Sequence, residues 1–297
     1  MHFRIVSPSA CVDREKIQLA QHLLQGLGHQ VSLAEHVFAQ YRYLAGTVQQ
    51  RILDLKHACL DSSVDAIWCA RGGTGAAELV PFLDTWILNK PIIGYSDSTV
   101  LLNYVAMQGG QALHAAVFQE LAVKNLDNQA LSQDGLDAIG LVSAVKVNVE
   151  AKPLNTYAVS ALNRFAQQNS TPTQLRVLGG NLSVLCSLQG TANALQLKQP
   201  SMLLLEDVGE PYYRLERCLV QLLQSIDTTQ LKAVVLGDFY QCPQKNVPHS
   251  IAEIFSEHLN RLNIAVYQCD WFGHGQHNRP FWIGKFGSIQ DSQLIIE

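Results

Sequence analysis

The chain has 297 residues, a formal net charge of −4 and 47% hydrophobic residues. That length predicts two domains, and that apolar content is enough to bury two cores without metals or disulfides. No basic stripe argues for nucleic acid, and no apolar run approaches the roughly twenty residues of a membrane span.

The first half alternates strand and helix. Residues 3–7 read as a short apolar strand, 13–27 as a helix stopped by Gly28, and 30–34 as a second strand. Residues 47–59 place Ile52, Leu55 and Cys59 on one helical face, and 64–70 form an apolar strand. A short helix is predicted over 75–83, a strand over 91–95 and a helix over 97–107. Such alternation predicts a doubly wound, mostly parallel sheet, whose sites lie at the carboxyl ends of its strands. The pattern weakens between about 125 and 173, in stretches such as Ala166-Gln167-Gln168-Asn169-Ser170-Thr171. The reading is therefore an N-terminal α/β domain over 1–125, a connection over 126–173 and a smaller C-terminal α/β domain over 174–297. In that second domain 174–178 is a strand, followed by a glycine pair and a helix from Asn181. Residues 202–205 form the next strand. An amphipathic helix follows, with Leu215, Cys218, Leu219, Leu222, Leu223 and Ile226 on one stripe. Further strands fall at 233–236 and 264–267, with a helix near 251–262, and 282–285 and 294–296 are expected to close a small sheet.

Three segments end an apolar run in a reactive side chain. They are Ile92-Ile93-Gly94-Tyr95-Ser96-Asp97, Leu203-Leu204-Leu205-Glu206-Asp207 and Trp271-Phe272-Gly273-His274-Gly275. In order they supply nucleophile, acid and base. A serine hydroxyl needs an imidazole to take its proton, and the imidazole needs a carboxylate to fix its tautomer. The Gly-x-Ser-x-Gly elbow is absent, because Ser98 stands where the second glycine belongs. The ordinary role of a serine like Ser96 is a helix N-cap. A helix start behind it also offers amides and a positive dipole end to an oxyanion, and the amides of Asp97 and of Gly72 or Gly73 are the candidate donors. Glu206 and Asp207 have an ordinary role in a strand-end turn or cap, and Glu210 competes as the acid. His274, between two glycines, is otherwise a loop histidine. His277 lies three residues on, but no Cys pair or His-Glu-x-x-His helix completes a zinc site, so no metal or cofactor is expected. Arg71-Gly72-Gly73-Thr74-Gly75 fails as a dinucleotide fingerprint because Glu78 takes the third glycine position. A loop for a substrate backbone or oxyanion explains it better.

These segments resemble the LD-carboxypeptidase family, serine peptidases that trim murein tetrapeptides. The resemblance runs through Ile5-Val6-Ser7-Pro8-Ser9, Ala45-Gly46-Thr47 with Arg51, Arg71-Gly72-Gly73-Thr74-Gly75 and Gly94-Tyr95-Ser96-Asp97-Ser98-Thr99. It continues in Gly179-Gly180-Asn181-Leu182-Ser183, Leu205-Glu206-Asp207-Val208-Gly209-Glu210, Gly237-Asp238-Phe239 and Phe272-Gly273-His274-Gly275. It implies a triad of Ser96, Glu206 and His274 in a cleft between the two domains. It also implies cleavage of the L-D bond before a terminal D-alanine through an acyl-enzyme, a small murein tetrapeptide-like substrate and a homodimer. Two positions depart from the family pattern: Thr74 stands for a usual tyrosine, and Ala115-Ala116 follow His114 where Gly-Pro is usual. Hydrolysis of peptidyl-nucleotide antibiotics, which the family also contains, and a non-catalytic binding role on the same scaffold are the alternatives. Seven cysteines without a C-x-x-C pair suit a reducing cytosol, and Met1-His2-Phe3-Arg4 enters a strand with no apolar leader. A cytoplasmic enzyme of murein recycling is the expectation.

Overall fold

Short apolar strands and capped helices alternate from the start of the chain. In the computed structural model, which describes residues 1–122, 130–149, 155–168 and 174–297, these are β1 (His2–Val6), α1 (Arg14–Gly26), β2 (Gln30–Leu33) and α2 (Val48–Leu60). They continue as β3 (Ala66–Cys69), β4 (Ile92–Gly94), α3 (Thr99–Met107) and β5 (Ala112–His114). The helix starts are written locally. Asp13 accepts from the amides of Glu15 and Lys16 ahead of α1, and Thr47 and Gln50 form a reciprocal capping box ahead of α2. The buried face of α1 is Ile17, Ala20 and Leu24.

The strands lie side by side in the order β2-β1-β3-β4-β5, each pair parallel. This is a doubly wound order whose direction reverses between β1 and β3. Phe3, Ile5, Ile67, Trp68, Ile92 and Ile93 are fully buried in the sheet. Trp68 packs between Phe3 and Phe118, with ring centroids at 5.4 and 5.8 Å. Each such side chain contributes about 1.5–3 kcal/mol by leaving water.

The predicted helix over 75–83 is absent. The chain instead makes three 3-10 turns, Ala76–Glu78, Val80–Phe82 and Thr85–Asn89. Pro81, which lacks an N–H donor, is the second residue of the second turn and blocks a continuous α-helix.

Two compact units divide the chain: Met1–Leu154 with Arg279–Phe281, and Asn155–Asn278 with Trp282–Glu297. The region read as a connection supplies α4 (Gln133–Val147) to the first unit, and β6 (Thr156–Ala158), β7 (Ser160–Ala161) and α5 (Arg164–Gln167) to the second. Asn169, Ser170 and Thr171 of its polar stretch lie outside the described residues.

The second unit continues with β8 (Leu175–Asn181), α6 (Leu182–Ser187), β9 (Ser201–Val208), α7 (Tyr212–Ser225) and β10 (Leu231–Tyr240). Then come α8 (Ile251–Asn260), β11 (Ala265–Gly273), β12 (Phe281–Ile283), β13 (Phe286–Gln290) and β14 (Gln293–Ile296). Its sheet has the order β6-β14-β13-β8-β9-β10-β11-β7. The four central strands β8 to β11 are parallel and the flanking pairs antiparallel. The stripe of α7 is buried at Leu215, Leu219 and Leu222. Residues 282–285 and 294–296 do not close a small sheet together. The β12 strand lies beside β5 at the edge of the first sheet, while β14 pairs with β13 in the second.

Candidate active site

Ser96 sits where β4 gives way to helix, in a strand–turn–helix junction. Its backbone is left-handed, with φ 59°, and it opens a 3-10 turn (Ser96–Ser98) that runs into α3. A non-glycine residue in this region costs on the order of 1–3 kcal/mol and persists only where its surroundings impose it. Ser96 makes no side-chain cap: Tyr95 is the N-cap residue of the turn and Ser98 that of α3. The ordinary cap role therefore does not account for this serine.

The glycine-rich loop after β3 wraps this turn. A methyl group on Gly72 would stand 2.7 Å from Ser96 Cβ and 2.8 Å from its Oγ, so only glycine fits against the hydroxyl. The loop is tied from several sides. The Gly72 carbonyl accepts from the Ala10 amide at 3.3 Å. Buried Arg51 donates through Nη1 to the carbonyls of Gly75 (2.8 Å) and Pro8 (2.7 Å), and through Nη2 to Glu78 at 2.5 Å. The position that breaks the dinucleotide fingerprint is thus an ion pair that anchors the loop. Asp97 is buried, and its carboxylate accepts from the Ala76 amide at 2.8 Å rather than facing Ser96. Burial pushes its pKa upward, against the pull of that amide. Gly73 takes φ 102° and packs on Ala10, while Thr74 is exposed.

In the second unit Glu206 and His274 meet. His274 Nδ1 lies 2.7 Å from Glu206 Oε2, with Glu206 wholly buried and the His274 side chain 14% exposed. A buried carboxylate needs such a partner, and a bond to Nδ1–H places the imidazole lone pair on Nε2. The strand bearing Glu206 does not stop at Leu205 but runs to Val208. The pairing is irregular at this level. Leu236 faces Leu205 and Phe239 faces Asp207, so Gly237 and Asp238 together oppose Glu206 alone. Bulges of this kind re-aim side chains beside functional sites. On the other side, Leu236 faces Gln268 while Asp238 faces Gly273. The glycines make this possible: a Cβ on Gly237 would meet the Phe272 ring at 2.6 Å, and one on Gly275 would meet Asp238 Oδ2 at 1.9 Å. Gly273 takes φ 134°, and its amide donates to the buried Asn278 side chain at 3.3 Å.

The competing acid Glu210 and the neighbouring Asp207 are otherwise engaged. Glu210 Oε2 pairs with Arg214 at 3.2 Å. Asp207 points to the start of α6, accepting from the Ser183 amide at 2.8 Å and from Asn181 Nδ2 at 3.1 Å. Its burial, with Glu206 beside it, pushes its pKa up to about 6. This network accounts for the segment Gly179-Gly180-Asn181-Leu182-Ser183. A methyl on Gly179 would stand 2.1 Å from the Leu204 carbonyl oxygen. His277 is exposed, and among the described residues no group of three or more His, Cys, Asp or Glu side chains is placed to hold a metal ion. His114 is buried, stacked on Phe281 at 4.5 Å with Tyr95 edge-on at 5.8 Å, and Ala115 and Ala116 are buried after it. A hollow of about 470 Å³ in the second unit is lined by Asp238, Asp270 and His277, and neither Glu206 nor His274 lines it. Residue types alone did not flag the supporting roles of Arg51, Asp238 and Asn278. The signal for the first two was their place inside the matching segments, and Asn278 carried none.

The LD-carboxypeptidase N-terminal domain model matches residues 3–115, and the C-terminal domain model of the same family matches 175–289. The murein tetrapeptide carboxypeptidase of Pseudomonas aeruginosa is 36% identical over 294 residues, covering 98% of this chain and 93% of that protein. The muramoyltetrapeptide carboxypeptidase of Oxalobacter formigenes superposes with a TM-score of 0.81 at 22% identity, over 99% of this chain and 98% of that one. The microcin C7 self immunity protein superposes at 0.76 and 19% identity, over 100% of this chain and 96% of that one. At those identities the two structures speak for the fold alone, whereas the domain matches and the Pseudomonas relative span both units. The chain belongs to the LD-carboxypeptidase family.

Proposed function

We propose that this chain is a serine-type LD-carboxypeptidase that releases the terminal D-alanine of murein tetrapeptides, with Ser96 as nucleophile, His274 as base and Glu206 as its orienting acid. The observation that carries the reading is the 2.7 Å pair between His274 Nδ1 and the fully buried Glu206. Such a pair presets the tautomer a general base needs. The reaction follows from this assignment. Ser96 Oγ bonds to the carbonyl carbon of the L-D peptide while its proton passes to His274 Nε2. The amide of Asp97 and one from Gly72 or Gly73 stabilise the oxyanion. The C–N bond then breaks, the D-alanine nitrogen takes the proton from His274, and a tripeptidyl ester remains on Ser96. Water attacks the ester with His274 again as base, which frees tripeptide and serine.

The substrate assignment is supported by the Pseudomonas relative, which bears that activity in its name and matches nearly the whole chain. The peptidyl-nucleotide alternative has support only from structures at the level of fold. All seven cysteines are free and no helix among the described residues is long and apolar enough to cross a membrane. Both support a place in the cytoplasm, where we further propose that it acts on recycled muropeptides as a homodimer. Incubation with murein tetrapeptide and mass detection of tripeptide and D-alanine tests the reading. Release is expected from the wild type, is lost in Ser96→Ala and is insensitive to chelator. Absence of tripeptide, or activity that chelator removes and zinc restores, contradicts it.

A further inference from the structure

Arg71 is the exposed side chain next to the nucleophile's glycine. It follows β3 and lies at the point where the strand order reverses between β1 and β3, where open α/β sheets hold their ligands. One arm of its guanidinium is fixed: Nη1 donates to the Cys11 carbonyl at 2.5 Å, beyond the carboxyl end of β1. No carboxylate among the described residues stands within ion-pair distance of it, whereas Arg51, twenty positions earlier, is committed to Glu78 and to loop carbonyls. Its backbone is held by the next residue, since the Gly72 carbonyl accepts from the Ala10 amide and Gly72 lies so close to Ser96 that a methyl on it would stand 2.8 Å from Oγ. A tethered cation without a counter-ion among the described residues is thus placed one residue from the glycine packed against Ser96. A carboxypeptidase must tell a chain end from a chain interior, and the difference is one carboxylate close to the scissile carbonyl. A guanidinium meets a carboxylate through two parallel N–H donors, and with one arm tethered it loses little freedom in doing so.

We propose that Arg71 binds the free α-carboxylate of the departing residue and makes the enzyme an exopeptidase. The inference rests on the carboxypeptidase reading above, and its test works without turnover. Two tetrapeptides are titrated by calorimetry into the Ser96→Ala variant, one ending in free D-alanine and the other in D-alanine amide. The same pair is titrated into Ser96→Ala/Arg71→Gln and Ser96→Ala/Arg71→Lys, with thermal midpoints confirming that each is folded. The acid is expected to bind the Ser96→Ala protein about 10- to 100-fold more tightly than the amide, as for a charge-assisted bidentate contact. Gln at position 71 removes that preference and Lys restores part of it. In the enzyme with Ser96 intact, Arg71→Gln raises KM for the acid far more than it lowers kcat. An acid preference that survives Arg71→Gln, or no binding of the acid by Ser96→Ala, overturns the assignment. A wild type without turnover, whose Ser96→Ala form still shows an acid preference dependent on Arg71, refutes the carboxypeptidase reading and leaves only the contact between Arg71 and a terminal carboxylate standing. Should Arg71→Gln fail to fold, the Lys variant decides: full acid preference with Lys excludes a bidentate role.

Discussion

Ser96 and the Glu206–His274 pair are held by different means. In the first unit the backbone does the positioning: a left-handed serine at φ 59°, a glycine against its hydroxyl, and loop carbonyls and amides tied by Arg51 and Asp97. In the second, a side-chain pair with one wholly buried charge does it, aimed by a bulged strand pairing and glycines packed on Asp238. The difference follows the chemistry. An attacking oxygen and an oxyanion need fixed backbone atoms, whereas a general base needs its ring proton held on the other nitrogen, which a buried carboxylate does by accepting from Nδ1–H. A substitution in each region should therefore fail in its own way.

The largest effect is expected from Glu206→Gln. It keeps the shape of the pair and removes the charge, and turnover should fall by about 10⁴-fold through the wrong imidazole tautomer. Histidine NMR shifts on the variant check that His274 has changed its protonated nitrogen. Gly72→Ala comes next. Its methyl would displace a serine that now stands 2.8 Å away, and a displacement of this kind lowers kcat by about 100-fold. The His274 signals should stay as in the wild type, which separates the two regions. If they move, the regions are not held independently.

Gly275→Ala tests the packing on the other side. The added carbon would lie 1.9 Å from Asp238 Oδ2, so a loss of about 1–3 kcal/mol in denaturant unfolding is expected. Pairing it with Asp238→Ala should recover part of that loss, and simple additivity would show that the two do not touch. The smallest effect is a slope. Asp207 has its folded pKa pushed up to about 6, above the roughly 3.9 of an unfolded aspartate. The folded state then holds the proton more tightly, so this group's contribution to stability is greatest below pH 4 and falls as pH rises toward 6. The slope is at most about 1.4 kcal/mol per pH unit. Asp207→Asn should flatten that part of the stability–pH curve. A variant curve parallel to the wild type would mean that Asp207 is already ionised across this range.

The two regions also differ in how far the sequence reveals them. Ser96, Glu206 and His274 are visible because an apolar run breaks at each of these reactive residues, and the glycines around them mark close approach. The parallel pairing of the first sheet follows from alternation, whereas its strand order comes from the structure. The left-handed turn at Ser96 was not visible, since a serine before a helix reads as a cap until the Gly72 contact is known. Nor was α4, whose Gly135 and Gly140 interrupt a segment with apolar residues on more than one face. From the sequence β8 ends before its glycine pair, yet its pairing with β9 carries it through Gly179 and Gly180 to Asn181. Register and bulges depend on which strand lies alongside, and that information is spread over the whole sheet.

The central claim is that Ser96 of the first unit and His274 of the second act in one chemical step. The direct measurement is D-alanine release from murein tetrapeptide by Ser96→Ala, His274→Ala and the double variant, each confirmed folded by its thermal midpoint. Residues that work as a unit give non-additive losses, so each single variant should fall by several orders of magnitude and the double should be little worse. Losses that multiply in the double variant would mean that the two residues serve separate steps, and the triad as assigned here would be wrong.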